Sequence, residues 1–158
     1  MRRLALLILA ITCSVVAAAP PPSNTVTKPR YGTTQPFGPG TTTRRTDGST
    51  ANTRPFGGGS VTTERDAGGK TITGTTRPFG NGTSTTWSNG TQTTTRPFGN
   101  GASTTEVNKN GQSIQGTIRP FGQGTATHRV DGSGSTTRPF GSGTVTRETP
   151  KSSSAGKR

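Results

Sequence analysis

The chain has 158 residues, of which 24 are glycine, 12 are proline and only 23% are apolar. Nineteen Lys and Arg against six Asp and Glu give a net charge of +13. This composition excludes a domain of ordinary kind built on a large apolar core, because too little apolar area is available to offset the entropy of ordering the chain.

Residues 1–18 have the layout of a secretory signal peptide: Arg2 and Arg3, an apolar run over 4–11, then small residues ending at Ala17 and Ala18. The run is too short to span a bilayer, and cleavage after Ala18 is the expected cut. The protein is therefore expected to be secreted, extracellular or periplasmic. An alternative is a lipid anchor on Cys13, although Ala10, Ile11 and Thr12 match such a signal poorly. Loss of the segment removes Arg2 and Arg3 and leaves 17 basic residues against 6 acidic ones, a net of +11. It also removes the one cysteine, so no disulfide can staple the mature chain.

Residues 19–30 carry Pro20, Pro21, Pro22 and Pro29 and read as a disordered linker; residues 150–158 read as a disordered basic tail. Between them, over 31–149, lies a tandem repeat. All six phenylalanines, Phe37, Phe56, Phe79, Phe98, Phe121 and Phe140, stand in Pro-Phe-Gly-x-Gly, at spacings of 19, 23, 19, 23 and 19. Short and long arms thus alternate in a 42-residue super-repeat.

Near the middle of each arm is a second turn signal: Asp47-Gly48, Gly68-Gly69, Asn89-Gly90, Asn110-Gly111 and Asp131-Gly132. Such dipeptides suit a two-residue type I′ hairpin. Counting outward from them predicts Thr86 opposite Thr93, Thr83 opposite Arg96, Thr125 opposite Arg138, Thr41 opposite Arg54, Ser60 opposite Arg77 and Ala102 opposite Arg119. Thr-rich strands favour extended backbone and cross-strand pairing. Residues from Tyr31 resemble the returning strand of a long arm, and residues from Thr144 the outgoing strand. The expected fold is all-β: tandem β-hairpins in a polar antiparallel meander or single-layer sheet. The alternative is a largely disordered monomer.

Parity in that register places Val61, Ile72, Val107, Ile114, Ile118 and Val145 on one face. It places Glu64, Glu106, Arg77, Arg96, Arg119 and Arg138 on the other. The sheet is expected to leave open edges, a template for adding further copies. The Pro-Phe-Gly loops fall along one edge, where Phe37, Arg54, Phe56, Arg77, Phe79, Arg96, Phe98, Arg119, Phe121, Arg138 and Phe140 form a candidate binding row, through cation–π contact or stacking. The competing reading has each Phe packing over its own loop as a staple.

Catalysis has no visible basis. His128 is the only histidine, and Asp47, Glu64, Asp66, Glu106, Asp131 and Glu148 are scattered over turns and strands with no metal-ligand or nucleophile spacing. No cofactor and no small-molecule substrate is expected. In layout, residues 31–149 resemble curlin-type functional amyloid subunits, with Thr and Arg where that family has Gln and Asn ladders. The resemblance implies a secreted structural or cell-surface protein that assembles with itself into a sheet, fibre or coat. The alternative is a cationic extracellular module for anionic polymers: nucleic acid, acidic polysaccharide or the cell envelope.

Overall fold

The computed structural model describes residues 29–151. Twelve strands follow one another: β1 (Arg30–Phe37), β2 (Gly40–Arg45), β3 (Thr50–Phe56), β4 (Gly59–Arg65), β5 (Thr71–Phe79), β6 (Gly82–Trp87), β7 (Gln92–Phe98), β8 (Gly101–Val107), β9 (Ser113–Phe121), β10 (Gly124–Arg129), β11 (Gly134–Phe140) and β12 (Gly143–Thr149). Each pairs antiparallel with its neighbours in sequence, and β1 also pairs with β12, so the meander closes into a barrel. The all-β tandem-hairpin architecture is as the repeat predicts. The open edges are not: closure gives every strand two partners and leaves no edge to extend. The signal peptide and most of the expected linker and tail lie outside the described residues, and Arg30, expected in the linker, opens β1.

Two kinds of turn alternate. At each Pro-Phe-Gly-x-Gly loop the Phe faces the second Gly, as in Phe37 opposite Gly40, leaving a two-residue loop. Gly38 has φ 56°, and Pro39 after it is locked at negative φ, which is the type II′ pattern with glycine first. The other tips are three-residue loops. The Trp87 N–H donates to the Thr91 carbonyl (2.9 Å), the Gly90 N–H donates to the Trp87 carbonyl (3.0 Å), and Gly90 has φ 84°. This is a type I turn followed by a left-handed glycine bulge.

The type I′ expectation is therefore corrected, and Gly68-Gly69 shows why. Type I′ needs positive φ at both residues, whereas only Gly69 has it, at 87°. At Asp47, Asn89 and Asp131 the residue before the glycine serves the type I turn by accepting a backbone hydrogen bond two residues on, as Asn89 Oδ1 does from the Thr91 N–H (3.0 Å), while at the Asn110-Gly111 tip Asn108 Oδ1 accepts from the Asn110 N–H instead.

The extra loop residue shifts every expected register by one. Thr85 faces Thr93 and Thr86 faces Gln92; Thr83 faces Thr95, Thr125 faces Thr137, Thr41 faces Thr53, Ser60 faces Thr76 and Ala102 faces Ile118. A slip of one exchanges faces on one strand of each pair, so the expected division into an apolar and a charged face also fails. Ile72 lies beside Glu64 and Ile114 beside Glu106 on the inner face, while Val61 lies beside Arg54 and Val145 beside Arg138 on the outer one.

The interior is polar. Ala51 and Trp87 are the buried apolar residues among those described, against nine buried polar or charged ones. Facing threonines share hydroxyl hydrogen bonds across the hairpins: Thr34 with Thr43 (2.7 Å), Thr53 with Thr62 (2.9 Å), Thr76 with Thr85 (2.8 Å) and Thr137 with Thr146 (2.9 Å). Stability must come largely from closed ladders and these satisfied hydroxyls. Trp87 faces Gly74, where an added Cβ would lie 2.7 Å from the indole ring.

Closure explains the ends of the repeat. Thr144 faces Thr34 across β12 and β1 just as Ser60 faces Thr76 across β4 and β5. The last and first strands thus make a sixth, long arm that is cut at its tip. Three 42-residue units complete the ring, with Glu64, Glu106 and Glu148 at equivalent places, and likewise Gly32, Gly74 and Gly116.

Candidate functional site

Six hairpin ends ring one mouth of the barrel. β3 pairs with β2 only as far as Thr53, yet with β4 as far as Phe56. The same holds at β1, where the β12 ladder stops at Thr34 and the β2 ladder reaches Phe37. Each Arg-Pro-Phe-Gly-x-Gly segment, with Gln35 in the first, therefore stands beyond the lateral ladders as a short finger. Proline is tolerated there because its missing N–H faces the side where the ladder has ended. The second glycine is required at the base: a Cβ on Gly40, Gly59, Gly82, Gly101, Gly124 or Gly143 would overlap a carbonyl oxygen of the neighbouring strand, Thr53 in the case of Gly40.

The structure brings the sequence-predicted residues together on this rim. The phenylalanines are half exposed, from 48% at Phe121 to 63% at Phe98 and Phe140, a level unlike that of a packed core side chain. Arg54, Arg77, Arg96, Arg119 and Arg138 are exposed on the outer wall. Two of them reach the ring one finger back: Arg96 lies 5.4 Å from the Phe79 centroid and Arg138 5.3 Å from that of Phe121. These contacts repeat at 42 residues and are the cation–π geometry.

Charge is divided along the barrel axis. No acidic residue lies in the finger half. Asp47, Asp66 and Asp131 sit at or beside the three-residue tips, and Glu64, Glu106 and Glu148 line the interior near that second mouth. Two of the interior carboxylates meet cations: Arg45 donates to Glu64 (3.1 Å) and lies 3.6 Å from Glu148, while Arg30 binds both Glu148 and Asp47. This cluster borders a cavity of about 340 Å³. Burial pushes the Glu64 carboxyl up against the pull of Arg45, and likewise Glu106 against Arg129. Burial also opposes ionisation of Asp47, but hydrogen bonds from Ser49 and Arg30 outweigh it and hold its pKa down at about 2.

Sequence reasoning missed this interior cluster, having read the carboxylates as scattered. The signal was available: Glu64, Glu106 and Glu148 recur at the super-repeat spacing, as do Arg45, Trp87 and Arg129 opposite their glycines. Among the described residues, no group of three or more His, Cys, Asp or Glu could hold a metal ion, and no helix is long and apolar enough to cross a membrane. The outer wall at mid-strand is Thr63, Thr75, Ser84, Thr94, Thr105, Thr117, His128 and Thr136, the opposite of the apolar band of a lipid-spanning barrel. No family model, curated protein or solved structure matches the chain.

Proposed function

We propose that this is an exported, non-enzymatic cationic module that binds anionic polymers or cell-envelope surfaces through the arginines of the finger rim. The observation that carries the reading is the unopposed charge of the finger half: five outward arginines with no acidic residue among them, whereas the Lys and Arg of the other half stand beside all six carboxylates. The interior ion pairs support it, because they occupy Arg30 and Arg45 with Glu64 and Glu148 and leave the excess positive charge on the outside. Clustered positive potential of this kind attracts polyanions and strengthens as salt falls.

The test is binding to heparin and to duplex DNA across a salt series. Binding should weaken steeply with ionic strength, and Arg77→Gln with Arg119→Gln should flatten the dependence by roughly one logarithmic unit per arginine lost. Salt-independent binding, or none to either polymer, would remove the reading.

A structural role in a sheet, fibre or coat has less support, since the route by edge addition is closed. Its remaining foothold is the β1–β12 pair, which no covalent tip holds together.

A further inference from the structure

We infer that the anionic partner is a lipid bilayer surface, on which the barrel stands end-on with its six fingers down. This rests on the cationic-module reading and adds to it the phenylalanines, which polymer binding does not need.

Each finger carries its apolar and its cationic group in a fixed order. Arg and Phe are two residues apart, so they share the outer face, with Phe at the turn and Arg about 7 Å behind it along the strand. That offset suits a headgroup region, where an aromatic ring reaches the acyl boundary some 5–10 Å deep while a guanidinium stays among the phosphates. The Phe beside each turn is 48–63% exposed, and turn glycines such as Gly38, Gly57 and Gly141 have nothing within 4 Å of an added Cβ, so the finger ends stand clear of the rest of the protein.

Arrangement decides between a surface and a strand. Successive fingers are about 10 Å apart, two strand spacings, and close on themselves around the mouth. A linear polymer lying across such a ring touches two or three fingers, whereas a plane touches all six. Charge complementarity selects the plane's chemistry: five arginines with no acid beside them call for anionic headgroups. Depth is limited as well, because beyond the level of the arginines, where Val61 and Val145 lie, the wall turns polar with Thr63, Thr75, Thr105, Thr117 and His128, which would gain nothing from entering the acyl region. The barrel therefore docks and does not insert.

The test is sedimentation of the purified chain with phosphatidylcholine vesicles with and without 30% phosphatidylglycerol (roughly the anionic content that attracts basic segments), with heparin binding measured in parallel. The chain should sediment with anionic vesicles and at least tenfold more weakly with pure phosphatidylcholine. Phe56→Ser, Phe98→Ser and Phe140→Ser together should weaken vesicle binding at least tenfold and heparin binding less than twofold. In a Phe98→Trp variant, acyl-brominated lipid should quench the added fluorescence, which keeps the test open if the triple variant fails to fold. Heparin binding without vesicle binding, vesicle binding indifferent to the three serines, or no quenching would overturn the inference and leave the cationic module standing. Binding to neither partner would remove both.

Discussion

Arg30, the first residue of β1, donates from Nε to Glu148 near the end of β12 (2.8 Å) while its Nη1 binds Asp47 (2.8 Å). In the two covalently closed long arms the equivalent places hold Ile72 opposite Glu64 and Ile114 opposite Glu106. The arginine thus replaces isoleucine only in the arm that lacks a tip, and its chelated ion pairs stand where the other arms have a loop.

Arg30→Ala should accordingly cost about 1–2 kcal/mol, since it leaves the half-buried Glu148 with only the longer contact to Arg45 and the exposed Asp47 with only its Ser49 hydrogen bonds. Amide exchange should accelerate first in the β1 and β12 strands. Uniform acceleration around the barrel would show that closure does not depend on this contact.

Gly58 and Gly59 are neighbours in one finger with opposite surroundings. A Cβ on Gly58 meets nothing within 4 Å, while one on Gly59 would overlap the Thr76 carbonyl oxygen. Gly58→Ala should change stability by no more than about 0.5 kcal/mol, and Gly59→Ala should cost on the order of 2–4 kcal/mol, both read by thermal denaturation. Equal effects would contradict the placement of the finger base.

The three-residue tip makes a similar division at Gly68 and Gly69. Ala at Gly68 should be neutral or stabilising by about 0.4–1 kcal/mol, through a stiffer unfolded chain. Ala at Gly69, with φ 87°, should cost about 1–2 kcal/mol. A type I′ turn would penalise both.

Trp87 is 3% exposed and its Nε1 has no hydrogen-bond partner in the protein. Trp87→Phe, which keeps a ring over Gly74 and deletes the unpaired donor, should change stability by less than about 1 kcal/mol. Gly74→Ala should be destabilising, because the new methyl meets the indole. Denaturant titration of the two variants separates the cases.

Stability should pass through a maximum in mild acid. Glu64 and Glu106 have folded pKa values raised above their ordinary 4.5, so the penalty for their charge is relieved as pH falls through the raised values towards 4.5. Asp47 is the reverse: its contribution is present above 3.8 and lost as pH falls towards about 2. The melting temperature should rise as pH falls from neutral towards 4.5 and drop again below 3.8, and Glu106→Gln should reduce the rise. A monotonic decline from pH 7 would show that the buried carboxylates are not the controlling groups.

The repeat alone makes the all-β hairpin array legible, because Pro-Phe-Gly-x-Gly and the x-Gly tips recur at fixed spacing. The register was not legible from the tips, since Asn-Gly fits both a type I′ pair and the last two places of a type I turn with a bulge. Closure was half visible in the two end strands, each half of a long arm, but composition carries no signal for which strand a terminal strand will meet. The rim residues were legible because parity within one strand, unlike parity between strands, does not depend on the turn.

The severed sixth arm has a consequence for how the molecule could be made. Where the polypeptide starts is arbitrary with respect to the barrel, so joining Thr149 to Arg30 through six residues, as residues 66–71 join Arg65 to Ile72, and reopening any other tip should yield a circular permutant with the same ring. A lone 42-residue unit has the same instructions as the whole, and three such peptides would need only to find one another.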